Sequence, residues 1–176
     1  VRVIVGLQAR AAPAVLHMKQ LVADGYVGEM LSCSMRLIRG GVLERGSGRT
    51  WQRDVELGAN TLTIAAGHSI DALRFVVGEF SEVSSIVSTQ VDQWYETDTK
   101  EMRDVTSPDN ILLNGRLANG AVVSVHVAVN PWAGSGYVME IYGRKGTLVA
   151  TGDDSPQIGD VFLPVSYNHR TRARKE

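Results

Sequence analysis

The sequence predicts an α+β domain in which a mixed, mostly antiparallel sheet is covered by helices on one face and left open on the other. Three observations carry this. Two segments, near residues 14–23 and 57–77, read as helices, and the later segments read as strands of alternating or β-branched residues. Asn119-Gly120 and Arg144-Lys145-Gly146 stand between pairs of those strands, where tight hairpins need such turns.

The elements follow in order. "VRVIVGLQAR" opens with a hydrophobic run suited to a buried strand. Pro13 then sits where the first turn of a helix tolerates it. Val15, Met18, Leu21 and Val22 keep helical spacing, and Gly25 is placed as a left-handed stop. "MLSCSMRLIR" alternates Leu31, Cys33, Met35 and Leu37 against Ser32, Ser34 and Arg36, the period of a strand with one covered face. Residues 39–56 hold four glycines and no sustained period, so they read as a long loop. "LTIAAGHSIDALRFVVGE" continues a helix expected from Leu57 to Val77, stopped at Gly78 and buried on most sides because it lacks a polar stripe. "EVSSIVSTQVDQW" alternates Val83, Ser85, Val87, Thr89 and Val91, and an acidic, polar stretch over 92–109 separates it from the hairpin strands "NILLNGRL" and "AVVSVHVAV". "YVMEIYG" and "TLVATG" form the second hairpin, and "NHRTRARKE" reads as a loose, basic tail.

On the strand "AVVSVHVAV", Val123, Val125, Val127 and Val129 give one β-branched side, while Val122, Ser124, His126 and Ala128 give a small, mixed one. That second side fits either a subunit contact or a mildly polar solvent face. His126 falls on it.

Length and composition narrow the function. The 176 residues suit one domain, or one domain and a fragment of a neighbour, with enough chain for a real core. With 18 basic and 19 acidic residues, a net charge of -1 and 44% hydrophobic content, nothing points to polyanions or bilayers. Neither a nucleic-acid partner nor a membrane is expected. The single cysteine, Cys33, excludes an internal disulfide and a thiolate zinc cluster, and suits a reducing cytoplasm. His17, His68, His126 and His169 lack metal-ligand spacing, so no metal site is expected. There is no G-x-G-x-x-G fingerprint, no phosphate loop and no nucleophile elbow.

His68 is the candidate catalytic group. Imidazole titrates near neutrality, and on a helix beside a cleft it can take or give a hydroxyl proton. The alternative is a packed core histidine. Asp71, three residues on, either accepts a hydrogen bond from it or pairs with Arg74 or another base.

The order of motifs resembles the Gfo/Idh/MocA oxidoreductases, the family of glucose-fructose oxidoreductase and inositol dehydrogenase. "VGLQARAAPAVLHMKQLVADGYVGEMLS" is similar to the family's junction segment. "TWQRDVELGANTLTIAAGHSIDALRFVVGE" looks like its Trp-Arg segment, glycine-rich turn and histidine-bearing helix. "LANGAVVSVHV" and "EIYGRKGTL" look like its later hairpins. The resemblance implies a dihydrodipicolinate-reductase-like C-terminal domain of the glucose-fructose oxidoreductase type. Residues 1–6 would be the last strand of a Rossmann domain missing upstream, 7–152 the substrate and oligomerisation domain, and 153–176 a tail. NAD or NADP would be bound mainly by the upstream domain, no cofactor-binding residue would lie in this chain, and the chain alone would be inactive.

Carried over by position, His68 matches the catalytic histidine, Arg10, Trp51 and Arg53 match positions near the substrate, and Asn60 joins them as an expected substrate-binding residue. Each has a plainer reading: Arg10 as a salt bridge at the domain junction, and Trp51 and Arg53 as packing of the loop onto the helix. Family dehydrogenases carry an aspartate four residues before the histidine, where this chain has Ile64; Asn60 and Thr63 are placed to give a hydrogen bond but no charge. "LTIAAGHSID" is closer to the subgroup that includes the fungal galactose-pathway repressor. The expected function is an NAD(P)-dependent oxidation of CH–OH groups in a sugar or polyol, by a homodimer or tetramer joined through the open sheet face. The alternative is a non-catalytic nucleotide- or sugar-sensing regulator of the same fold.

Overall fold

The computed structural model describes residues 2–41, 43–129 and 132–168, without the side chains of 164–168. After a 3-10 turn at Gln8–Ala11 come helix α1 (Pro13–Ala23) and strand β1 (Met30–Arg39). Pro13 occupies the first turn, and a Schellman closure ends the helix: Gly25 N–H donates to the Val22 carbonyl and Tyr26 N–H to that of Leu21, with Gly25 at φ +75°.

Next come β2 (Glu44–Arg45), the short α2 (Ser47–Thr50), 3-10 turns at Trp51–Arg53 and Val55–Leu57, a π-helical turn at Leu62–Ala66, and α3 (Gly67–Val77). The strands that follow are β3 (Phe80–Ser88), β4 (Gln93–Glu96), β5 (Glu101–Asp104), β6 (Asn110–Leu117), β7 (Val122–Val129), β8 (Gly136–Gly143), β9 (Gly146–Gly152) and β10 (Val161–Asn168).

Seven strands form one sheet in the order β10-β9-β8-β1-β7-β6-β3, antiparallel except for the central β1–β7 pair. The class expected from the sequence is the class observed: mixed, mostly antiparallel, with α1 and α3 on one face. Cys33, Met35 and Leu37 of β1, Val123, Val125 and Val127 of β7, and Met139 and Ile141 of β8 pack beneath Val15 and Met18 of α1 and Leu73, Val76 and Val77 of α3. Burial of this face is the main favourable term in the fold.

The opposite face carries Ile86, Leu112, His126, Arg36 and Val138 in one row across five strands, as the register places them. Ile86, Leu112, Val122, Tyr142 and Phe162 on this side are exposed. The division of β7 into a buried valine side and an open mixed side holds from Val122 to Val127; Ala128, expected on the open side, is buried.

Several expectations need correction. Residues 2–6 form no strand, and Val3, Ile4 and Val5 are 83%, 90% and 74% exposed, since no described strand offers them a ladder. Leu31 is exposed and Met30 buried, because a register shift between Met30 and Ser32 turns the start of β1 over. The loop over 39–56 contains short helical turns and a two-residue strand. The stretch 92–109 is no separator: β4 and β5 form a hairpin that joins β2 in a second, three-stranded sheet around Trp94, Val105 and Val129.

Glu96 makes that second sheet possible by turning inward, where Thr50, Thr99 and Arg103 all donate to its carboxylate and hold its pKa down. The strand expected to run on through Val91 stops at Ser88. The Asp109 carboxylate accepts from the backbone N–H groups of Gln90 and Val91 (3.0 and 2.7 Å) and draws the chain off the sheet edge. Within the span expected as tail, Val161–Asn168 is an edge strand on β9; residues 169–176, with His169, lie outside the described residues.

Cys33 is buried under the helices, and burial pushes its thiol up to about 12. A thiol-specific aromatic disulfide at pH 8 should therefore leave the folded chain unmodified and release one equivalent in denaturant. Rapid labelling of native protein would mean that this face of the sheet is not covered.

Candidate functional site

The site is built where the third helix begins. Gly58, at φ +74°, turns the chain, and Asn60 Oδ1 accepts from the N–H groups of Leu62 (3.0 Å) and Thr63 (3.2 Å). Thr63 Oγ1 answers by accepting from Asn60 N–H at 3.0 Å and donating to the Gly58 carbonyl at 2.7 Å. This reciprocal cap satisfies donors that the first turn would otherwise leave open. The residues it holds enter a π turn, closed by Ala66 N–H on the Thr61 carbonyl (2.8 Å), before the regular helix starts at Gly67. Such turns recur at functional sites because the wider spiral re-aims its side chains.

The expected helix over 57–77 is thus shorter, and it is not buried on most sides: Leu62, Thr63, Ile64, Gly67 and Arg74 face outward. Those residues divide between two cavities. His68, Asp71, Thr63 and Leu62 border a cleft of about 380 Å³, closed on its other side by Val5 and Leu7. Ile64, with Asn60 and Ala65, lines a separate cavity of about 520 Å³. In a regular helix position 64 would stack over 68; the π turn directs it elsewhere.

His68 is half-buried at the cleft, and its Nδ1 is buried without a hydrogen-bond partner among the described residues. A buried polar atom left open calls for an explanation, and at the edge of a cleft a ligand is one. Asp71 does not orient the ring. Its carboxylate accepts from Arg10, with Nε at 2.9 Å and Nη2 at 2.6 Å. Arg74 instead pairs with Glu79.

Arg10 is therefore a junction ion pair between the N-terminal turn and α3, with Phe75 under its guanidinium at 5.4 Å. The same pair holds the Asp71 carboxyl below its usual range. Because the unfolded carboxyl titrates near 3.9, the unfolded chain binds more protons between that value and the lower folded one. The stabilisation is complete above about pH 4 and is lost as pH falls through the folded value. Asp71→Asn should lower the melting temperature at pH 7 and flatten its decline as pH falls below about 4. Parallel melting curves for both proteins across that range would contradict the assignment.

Trp51 is exposed on its 3-10 turn and borders neither cavity. Arg53 Nη1 donates to the Asp104 carbonyl (3.0 Å), and its own carbonyl accepts from Thr106 and Ser107, fastening the loop to β5. Asn60 is buried as the cap. Of the five residues singled out in the sequence, His68 lines the smaller cleft, Arg10 is held by Asp71 on its border, Asn60 lines the other cavity, and Trp51 and Arg53 line neither. Arg39, Arg45 and Arg49, which flank the larger cavity, were not singled out. Their signal was three arginines within a glycine-rich loop.

Among the described residues no three metal-ligating side chains gather, and no helix is long and apolar enough to cross a membrane.

An open-faced sheet under two helices, with a histidine-bearing helix facing a cleft, is the arrangement that the resemblance to the Gfo/Idh/MocA oxidoreductases implied for a C-terminal domain. Residues 13–152 match the family model described as "Gal80p, C-terminal domain", and the chain belongs to that family. The galactose/lactose metabolism regulatory protein GAL80 of Kluyveromyces lactis is 28% identical over 165 residues, covering 85% of this chain and 35% of that protein. Dehydrogenase aclE of Aspergillus oryzae is 31% identical over 158 residues, covering 86% of this chain and 43% of that protein. The solved structure of levoglucosan dehydrogenase in complex with NADH and L-sorbose superimposes with a TM-score of 0.71 at 28% identity, over 82% of this chain and 39% of that one. The chain spans less than half the length of these relatives, which include both regulators and oxidoreductases.

Proposed function

We propose that this chain is the substrate-binding domain of an NAD(P)-dependent sugar or polyol dehydrogenase. The observation that carries the reading is the half-buried His68 ring on the lining of an open cleft, with its buried Nδ1 unpartnered among the described residues. In that role the carbinol O–H proton passes to the ring nitrogen of His68 that faces the cleft as the carbon gives up its hydride. Nicotinamide supplies the hydride acceptor when bound.

The residues present fit the substrate side of such a reaction: a polar acceptor set among Leu62, Ile70 and Leu7. They do not fit the pyrophosphate, because no glycine turn of the required spacing joins a strand to a helix in this chain. The exposed Val3, Ile4 and Val5 fit the last strand of a nucleotide-binding domain, and Val5 borders the His68 cleft from that side. The apolar residues of the open sheet face suit a contact between copies of the protein.

One observation favours a second reading. Ile64 stands where a dehydrogenase of this fold carries a carboxylate, and the family match is to a regulator's domain. On that reading the protein binds a nucleotide or sugar without turning it over. The test is the protein carrying its nucleotide-binding domain, assayed for NADH or NADPH formation on a panel of sugars and polyols. Steady substrate-dependent reduction supports the dehydrogenase; cofactor binding with no turnover on any of the panel supports the sensor.

A further inference from the structure

The larger cavity has a chemistry of its own. It lies between the end of β1, the loop that follows and the π turn, and Arg39, Arg45 and Arg49 line it against one lining carboxylate, Glu44. Arg39 is held from outside the cavity by Asp154 at 3.0 Å. Arg45 lies over the Trp94 ring at 4.1 Å and donates from Nη1 to Gln52 Oε1 at 3.0 Å, while its Nε is buried with no partner among the described residues.

None of the described carboxylates pairs with Arg45. Burial, then the charges of Arg49 and Arg39, hold its pKa below the ordinary value. A half-buried guanidinium facing two like charges is unfavourable unless something negative arrives. Trp94 and Gln52 fix its fork in place, so that a planar or tetrahedral oxyanion is met by an arranged donor set. Ile64, Ala65, Val129 and Ile158 form the apolar remainder, and about 520 Å³ lies within the range of small-molecule sites.

We infer that this cavity binds the oxyanion group, carboxylate or phosphate, of a small molecule, with Arg45 as its central donor and Arg39 and Arg49 flanking it. The site goes beyond the dehydrogenase reading, because it uses neither His68 nor a nicotinamide and stands if that reading fails.

The experiment is amide and indole NMR on the chain, titrated at constant ionic strength with inorganic phosphate, glucuronate, glucose 6-phosphate and neutral glucose. The expected result is saturable shifts at Arg45, Gly46, Arg49 and the Trp94 indole with the anionic probes and none with glucose. Whether glucuronate or glucose 6-phosphate binds tighter tells carboxylate from phosphate. Arg49→Gln, an exposed change that leaves the packing alone, should weaken binding about 10-fold or more, the size of losing one charge-assisted contact. Arg45→Lys keeps the charge but loses the fork, and should weaken it further. Equal shifts with glucose, shifts scattered over the surface, or both variants binding like the parent would overturn the site.

Discussion

Replacing His68 with alanine is expected to lower turnover by about 10²-fold or more in the protein that carries the nucleotide-binding domain, the range for loss of a general acid or base. The ring is half-buried at the rim of a cleft, and its buried nitrogen holds no partner that the change would strand. Melting temperature should therefore move little, which separates lost chemistry from lost fold. The loss should fall on kcat more than on KM, because a proton-transfer group acts in the transition state while the rest of the cleft binds the ground state. A variant with undiminished kcat removes His68 from the reaction.

Leu37→Ala should be among the most destabilising single changes in the chain. Leu37 is 0% exposed on the central strand, between Val127 and Tyr137, and the seven-stranded sheet cannot close around the gap. Loss of a buried leucine side chain costs about 2–5 kcal/mol, roughly 5–15 °C of melting temperature in a protein of this size. The matched control is Leu112→Ala on the open face, where the side chain is already 39% exposed and the expected cost is about 0.5 kcal/mol or less. Denaturant unfolding of both variants checks the pair. If Leu112→Ala is costly only at high protein concentration, the open face is covered by a second copy in solution.

Some of this was legible before any coordinates. The Pro13 start and Gly25 stop, the turn at Asn119-Gly120 and the two-residue period of β7 are local rules, decided by neighbours a few positions apart. They gave the fold class and the covered face of the sheet. Leu31 escaped the same rule because a bulge is a mismatch between two strands, which the sequence of one strand does not reveal.

The site was less legible. Histidine at position 68 stood out as a polar residue in an apolar helix, but its open nitrogen depends on every neighbour it fails to meet. Asp71 had nearer bases in sequence than Arg10, yet its partner arrives from 61 residues away. Glu96 lay in the polar stretch read as a separator, and the three donors that converge on it come from α2, the turn between β4 and β5, and β5 itself.

By itself, then, the sequence determined the periodicities, caps and turns, and through them an open α+β sheet with a histidine on its second, apolar helix. Only the tertiary structure decided that a π turn sends Ile64 and His68 to different cavities, and that three arginines meet around the first. The physical reason is range: backbone geometry is set within a few residues, whereas charge and cavity are sums over side chains that only folding brings together.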